Sequence, residues 1–202
     1  MEDAKFAIAS AVEGQKEWVA LPLYQRNEIL RHFIALVQDH QEELAQAITR
    51  ECGKPLAQAR GEVDSICQTL DGYLAAGTTL YGKSMPVFSE KGREHDMIFT
   101  IYEPLGVIVA ICPFNFPLSM FAHKVAPCLV AGNAVIVKPA SDTPLSAILL
   151  ANLAHQAGVP GKTLQVITGS GSELGQWLIN DKAVNGVTLT GSTEVGKDIM
   201  RM

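Results

Sequence analysis

Apolar positions change their spacing about halfway along the chain, which divides it into two regimes. In the first, the spacing is helical. Leu30, Phe33, Ile34 and Val37 fall at i, i+3, i+4 and i+7, and Val63, Ile66, Cys67, Leu70 and Leu74 repeat that stripe. Two amphipathic helices therefore open the chain. Between them Cys52-Gly53-Lys54-Pro55 breaks the pattern, with Gly as C-cap and Pro beyond it. Residues 77–96 are rich in Gly, Ser and charge and read as a loop or hairpin-like arm with little core of its own.

From about residue 98 short apolar runs alternate with helical stretches. The predicted strands are Val107–Cys112, Ala134–Val137, Leu164–Thr168 and Val187–Thr190. The predicted helices are Pro117–Ala131, Pro144–Ala157, Ser172–Ile179 and Thr193–Met202. The strand runs are too short for helices, rich in Val and Ile, and do not alternate apolar with polar, so both faces are expected to be buried. Four successive βα units imply right-handed crossovers. The expected fold is α/β, a Rossmann-like doubly wound parallel sheet preceded by two N-terminal helices. Ligands of such sheets bind at the carboxyl ends of the strands, so the post-strand turns are where chemistry is sought.

Composition narrows the function classes. The 202 residues are 48% hydrophobic and 18% charged, enough for one substantial core. The net charge is −5 with scattered basic residues, which leaves no footprint for nucleic acid. No run reaches the roughly 18 apolar residues of a membrane helix, and the acidic start does not read as a signal peptide, so a cytoplasmic protein is expected. Cys52, Cys67, Cys112 and Cys128 form no C-x-x-C pair, and the five histidines have no ligand spacing, so no metal site is expected.

The four post-strand turns each begin a helix, whose unpaired N–H groups and positive dipole end suit a phosphate or a developing oxyanion. Gly191-Ser192-Thr193-Glu194 reads either as a pyrophosphate cradle or as a Ser N-cap on a Gly-permissive turn. Gly169-Ser170-Gly171-Ser172, with Gly175, departs by one residue from the G-x-G-x-x-G spacing. Lys138 ends an apolar strand before Pro139, and either snorkels to solvent or meets an acceptor. In Pro113-Phe114-Asn115-Phe116-Pro117 the prolines stiffen the turn, and Asn115 reads either as an oxyanion donor or as a cap of the next helix.

Five segments in order resemble the aldehyde dehydrogenase superfamily: Glu51-Cys52-Gly53-Lys54-Pro55, Glu103-Pro104-Leu105-Gly106-Val107, the Pro113–Pro117 turn, Gly132-Asn133 before Val137-Lys138-Pro139, and Thr190-Gly191-Ser192-Thr193-Glu194-Val195-Gly196. The match runs from about residue 4 to the last residue. The resemblance implies that Asn115 is the oxyanion-hole donor and that Lys138 binds the adenine ribose. Gly191, Ser192 and Val195 match the pyrophosphate-binding helix start, and Gly171 and Gly175 match turns near the adenosine. Ile111, Pro113 and Phe114 match residues lining the nicotinamide side, although Phe114 stands where Trp is most familiar. The cofactor implied is NAD or NADP and the substrate a small aldehyde, oxidised to a carboxylic acid. Many NAD-preferring members carry Glu three residues after the ribose-binding Lys. Here that position is Ser141, which points to acceptance of NADP, unless Asp142 swings in to take the Glu role.

In the family mechanism a cysteine thiolate attacks the aldehyde and a glutamate activates water. Neither residue has a counterpart in this sequence. Residues 1–202 are therefore expected to be an incomplete NAD(P)-binding domain without the catalytic domain, inactive by itself as a dehydrogenase. Residues 80–104 are the expected oligomerisation arm of a homo-oligomeric full-length enzyme. Two other readings stay open: a nucleotide-binding module that turns nothing over, and an assembly piece that pairs through the arm.

Overall fold

The computed structural model describes residues 1–87 and 90–202. Four helices, not two, precede the sheet: α1 (Glu2–Val19), α2 (Leu23–Asp39), α3 (Gln41–Cys52) and α4 (Leu56–Gly77). The two expected stripes lie on α2 and α4. The apolar spacing does not announce α1, because its buried face is Ala4, Ala7, Ile8, Ala11, Gly14 and Trp18, mostly residues too small to stand out as a hydrophobic stripe. Nor does it announce α3, which buries only Leu44, Ala45, Ala47 and Ile48 and follows α2 after the single residue His40. Gly53, at φ 70, ends α3 as the Gly-Lys-Pro break predicts.

In the arm, β1 (Ser84–Met85) and β2 (Ile98–Phe99) pair antiparallel, so the second strand lies just beyond the 77–96 stretch read as a hairpin-like arm. Residues 88 and 89 of that arm lie outside the described residues.

The second half is the βα array: β3 (Val107–Ile111), α5 (Pro117–Val130), β4 (Ala134–Lys138), α6 (Pro144–Ala157), β5 (Leu164–Val166), α7 (Gly171–Ile179), β6 (Val184–Leu189) and α8 (Thr193–Arg201). The four strands are parallel in the order β5-β4-β3-β6. Both faces of β3 and β4 are covered, whereas β6, expected to be buried on both, is half-exposed because only β3 flanks it. Ala110, Val135 and Val137 point into a core with α5, α6 and the layer of α2, α3 and α4 beyond them. Val107, Val109, Ala134 and Ile136 point the other way, onto α1 and α7. This explains why the strands read as unbroken apolar runs. Among the described residues no helix is long and apolar enough to cross a membrane.

The chain builds outward from β3 through β4 to β5, then returns to place β6 on the other side of β3. The direction of winding reverses between β3 and β6, so a crevice opens at their carboxyl ends. Gly106 and Asn133, from two of the five motif segments, lock this region. Asn133 accepts a bond from the Gly106 amide (2.9 Å) and donates to the Cys128 carbonyl (3.3 Å), joining the entries of β3 and β4 to the end of α5. Gly106, at φ 124, must be Gly. A Cβ there would overlap the Asn185 side chain, whose Oδ1 accepts from the Val107 amide at 2.9 Å.

Candidate cofactor cleft

The floor of the crevice is set by strand register. Ile111 stands opposite Lys138 on one side and Leu189 on the other, so three strand ends lie in one row. Beyond that row is a cavity of about 590 Å³. Its walls are Ile111, Lys138, Gly171 and Gly175 with Gln176 and Ile179 on α7, and Val195, Asp198, Ile199, Arg201 and Met202 on and after α8. A smaller cavity of about 280 Å³ adjoins along the same edge, between Pro139, Ala140, Ser141 and Pro144 on one side and Thr168, Gly169 and Ser170 on the other.

The four helix starts along this edge are not equivalent, which corrects the expectation that each suits an anion. Glu62, from α4, plugs α5: its Oε1 accepts from the amides of Leu118 and Ser119, both at 3.0 Å. Glu51, the last Glu of α3, plugs α6 by accepting from the amides of Leu145 and Ser146, the latter at 2.9 Å. A second anion at either end would meet a fixed carboxylate. Among the described residues no carboxylate from another helix bonds the first amides of α7 or α8. The N-cap of α7 is Ser170, and Ser192 caps α8 from within its own turn, accepting from the Val195 amide at 3.2 Å. An anionic ligand is thereby directed to the α7 and α8 side of the crevice.

The structure brings five of the predicted residues together in the main cavity: Ile111, Lys138, Gly171, Gly175 and Val195. Ser141 lines the adjoining one. Pro113, Phe114 and Asn115 follow β3 on the same edge but line neither cavity, and the exposed Gly191 and Ser192 also stay outside them. Asn115 is not a helix cap. The N-cap of α5 is Phe116, without a side-chain bond, and the exposed Asn115 amide has no hydrogen-bond partner among the described residues. Ser192 does cap its helix, in keeping with one of the two readings of that turn. Lys138 is not solvated; it is 6% exposed and donates to the Pro139 carbonyl at 2.9 Å.

Burial governs the electrostatics here. Desolvation lowers the pKa of Lys138 from its ordinary value, and it has no carboxylate partner among the described residues. Lys124, on α5, is also lowered by desolvation and donates to the Thr190 hydroxyl at 2.7 Å. Burial pushes the thiols of Cys112 and Cys128 up to about 12, and Cys67 is raised as well, by burial first and by Asp64 and Asp71 after it. No thiol among these three is poised as a thiolate.

The outer wall of the cavity is apolar and comes from the last helix. Val195, Ile199 and Met202 form an i, i+4, i+7 stripe on a helix with no buried residue. That stripe is visible in the sequence, and an apolar face left without a core is the signal that it lines a cavity.

A topological switch point, a buried cation with no acidic partner, two unplugged helix starts and a hydroxyl-lined annex together describe a site for an anionic, partly apolar ligand. Comparison with known proteins agrees with this architecture. The chain is 41% identical to the 3-sulfolactaldehyde dehydrogenase of Priestia aryabhattai over 97% of its own length. It is 38% identical to the NADP(+) succinate-semialdehyde dehydrogenase GabD of Escherichia coli (strain K12) over 98%. It superposes with a TM-score of 0.95, at 33% identity and over 99% of its length, on the NADP-dependent glyceraldehyde-3-phosphate dehydrogenase of Bacillus halodurans C-125 complexed with NADP. The chain spans 41%, 40% and 42% of the lengths of these three proteins. The family model described as "Aldehyde dehydrogenase family" matches residues 1–202, and the chain belongs to the aldehyde dehydrogenase family.

Proposed function

We propose that residues 1–202 are the NAD(P)-binding domain of a dehydrogenase that oxidises an aldehyde to a carboxylic acid. The observation that carries this reading is Lys138. A buried cation at a strand end, without an acid partner and facing a cavity between two unplugged helices, fits a nucleotide that brings its own negative charge. When bound, the nicotinamide supplies the hydride acceptor. Lys138 would hydrogen-bond the adenine ribose, Val195 and Ile199 would offer the base an apolar face, and the α7 and α8 starts would hold the pyrophosphate. Asn115, unpartnered and held by flanking prolines, donates to the aldehyde oxygen as charge builds on it. In the assembly the exposed Leu80, Tyr81, Met97, Phe99 and Tyr102 of the 80–104 arm are covered by another subunit.

A second reading concerns the 202 residues taken alone: they bind nucleotide and turn nothing over. The raised thiols of Cys67, Cys112 and Cys128 favour it.

The cofactor reading extends to NADP. No carboxylate lines the annex at Ser141 and Thr168, and Asp142 is exposed outside it. A 2′-phosphate would meet hydroxyls there, with Lys138 as its counter-charge. Titration of the 202-residue chain with NADP and NAD tests this. Wild type should favour NAD over NADP by less than about tenfold. Ser141→Glu should weaken NADP by about tenfold, since a carboxylate beside a phosphate costs at least about 1 kcal/mol. A wild type that rejects NADP a hundredfold, with Ser141→Glu changing nothing, contradicts the assignment.

A further inference from the structure

Among the described residues Glu62 is the one fully buried carboxylate, at 4% exposure. Its two oxygens do different things. Oε1 holds the first two free amides of α5, those of Leu118 and Ser119. Oε2 pairs with Lys54, from the Gly-Lys-Pro break between α3 and α4. The Lys54 ammonium, its side chain 10% exposed, also lies over the ring of Phe116, 3.8 Å from the centroid. This is a cation–π contact strengthened by desolvation. Phe116 is the residue after Asn115. One buried ion pair therefore grips the helix that follows the Asn115 turn and the side chain beside Asn115.

Asn115 needs such an external hold, because its own amide makes no hydrogen bond among the described residues. The prolines restrict the backbone on either side, Pro117 being buried at the start of α5, and the Phe116 ring adds a side-chain tie through the Lys54 ammonium. An oxyanion donor works only if it is already in place when charge develops, and a small displacement forfeits much of its effect.

We propose that Lys54 and Glu62 are positioning residues for the oxyanion donor. Glu62 fixes the first turn of α5, Lys54 fixes the Phe116 ring, and together they set where the Asn115 amide stands without touching substrate or nucleotide. The proposal rests on the reading of Asn115 given above.

The test is made in the dehydrogenase that carries this chain, with single-turnover hydride transfer and NADP affinity measured separately. Asn115→Ala should slow hydride transfer by about 10²–10³. Lys54→Met should slow it by at least about tenfold while NADP affinity stays within about twofold, because the α7 and α8 side is untouched. Lys54→Arg, which keeps both the pairing and the ring contact, should recover most of the rate. In an Asn115→Ala background Lys54→Met should add little, since the donor it positions is gone. A loss of the same size in both backgrounds, or loss of NADP affinity in step with the rate, overturns the proposal in favour of a scaffold role. If Asn115→Ala leaves the rate intact, the oxyanion reading fails. If Asn115→Ala is slow and Lys54→Met is normal, the positioning role alone fails. Amide exchange in the 202-residue chain gives a second readout that needs no turnover. Lys54→Met should speed exchange at Leu118 and Ser119 at least about tenfold while leaving α6 unchanged, and unchanged exchange at those two amides contradicts the proposal.

Discussion

The α5 and α6 side of the sheet and the α7 and α8 side are built from the same βα unit and held in opposite ways. On the first side both helices are gripped at both ends by the N-terminal layer. Glu62 holds the start of α5, while Trp18 and Arg26 donate to its last carbonyls, Leu129 at 2.7 Å and Val130 at 3.2 Å. Glu51 holds the start of α6, and the His32 ring bonds the Ala157 carbonyl at 3.3 Å. Acids sit at the positive helix ends and an arginine at a negative one, as the dipole favours. On the second side α8 buries no residue and caps itself, and β6 is half-exposed where β4 is buried throughout. On the proposed reading, Asn115 and Lys138, the groups that must stand still, emerge from the gripped side, and the groups proposed to admit and cover a nucleotide sit on the other.

The largest effect that could break this comparison is at Trp18, which is fully buried and bonded to the end of α5. Trp18→Ala should cost about 3–5 kcal/mol in a denaturant titration. Met200→Ala, at an 88% exposed position on α8, should stay within about 0.5 kcal/mol. Equal costs at the two sites would mean that the two sides are equally well packed.

Two glycines sharpen the contrast. A Cβ at Gly14, on α1, would overlap the backbone of Lys162 and Thr163 before β5, so Gly14→Ala should cost about 1–3 kcal/mol. A Cβ at Gly175, on α7, meets nothing within 4 Å. Gly175→Ala should therefore raise stability by about 0.5–1 kcal/mol while weakening nucleotide binding, because that Cβ enters the cavity. Stability and affinity moving together at Gly175 would place the nucleotide elsewhere.

How much of this was legible in the sequence depended on how far a signal travels along the chain. The helix Pro144–Ala157 is as read, because Pro at its start and Gly158 after it mark both ends locally. The parallel sheet was legible because burial on both faces leaves continuous Val and Ile runs. α1 was not, since its contact face is mostly Ala and Gly. The plugs were not either: Glu51 acts 94 residues from the amide of Leu145, and Glu62 acts 56 residues from that of Leu118. No local pattern announces a cap supplied from another helix. Equal anion-binding capacity at four helix starts was the natural local reading, and the fold halves it.

A smaller effect lies in pH. Folding keeps the thiols of Cys112 and Cys128 protonated up to about 12, against the ordinary 9.0 in an unfolded chain. Their folded values are raised, so the stability they contribute is complete below pH 9.0 and is lost as pH rises toward about 12. Denaturation midpoints measured through this window should fall less steeply in a Cys112→Ala, Cys128→Ala double variant than in wild type. Identical slopes would show that the thiols are not protected by burial.

The central claim is that a gripped side presents fixed groups while an open side closes over NAD(P). Amide hydrogen exchange of the 202-residue chain, with and without saturating NADP, addresses it most directly. The account predicts slow exchange in α5 and α6 in both states, with fast exchange in α8 that slows by at least about tenfold when NADP is added. Exchange in α5 as fast as in α8, or an α8 indifferent to NADP, would contradict it.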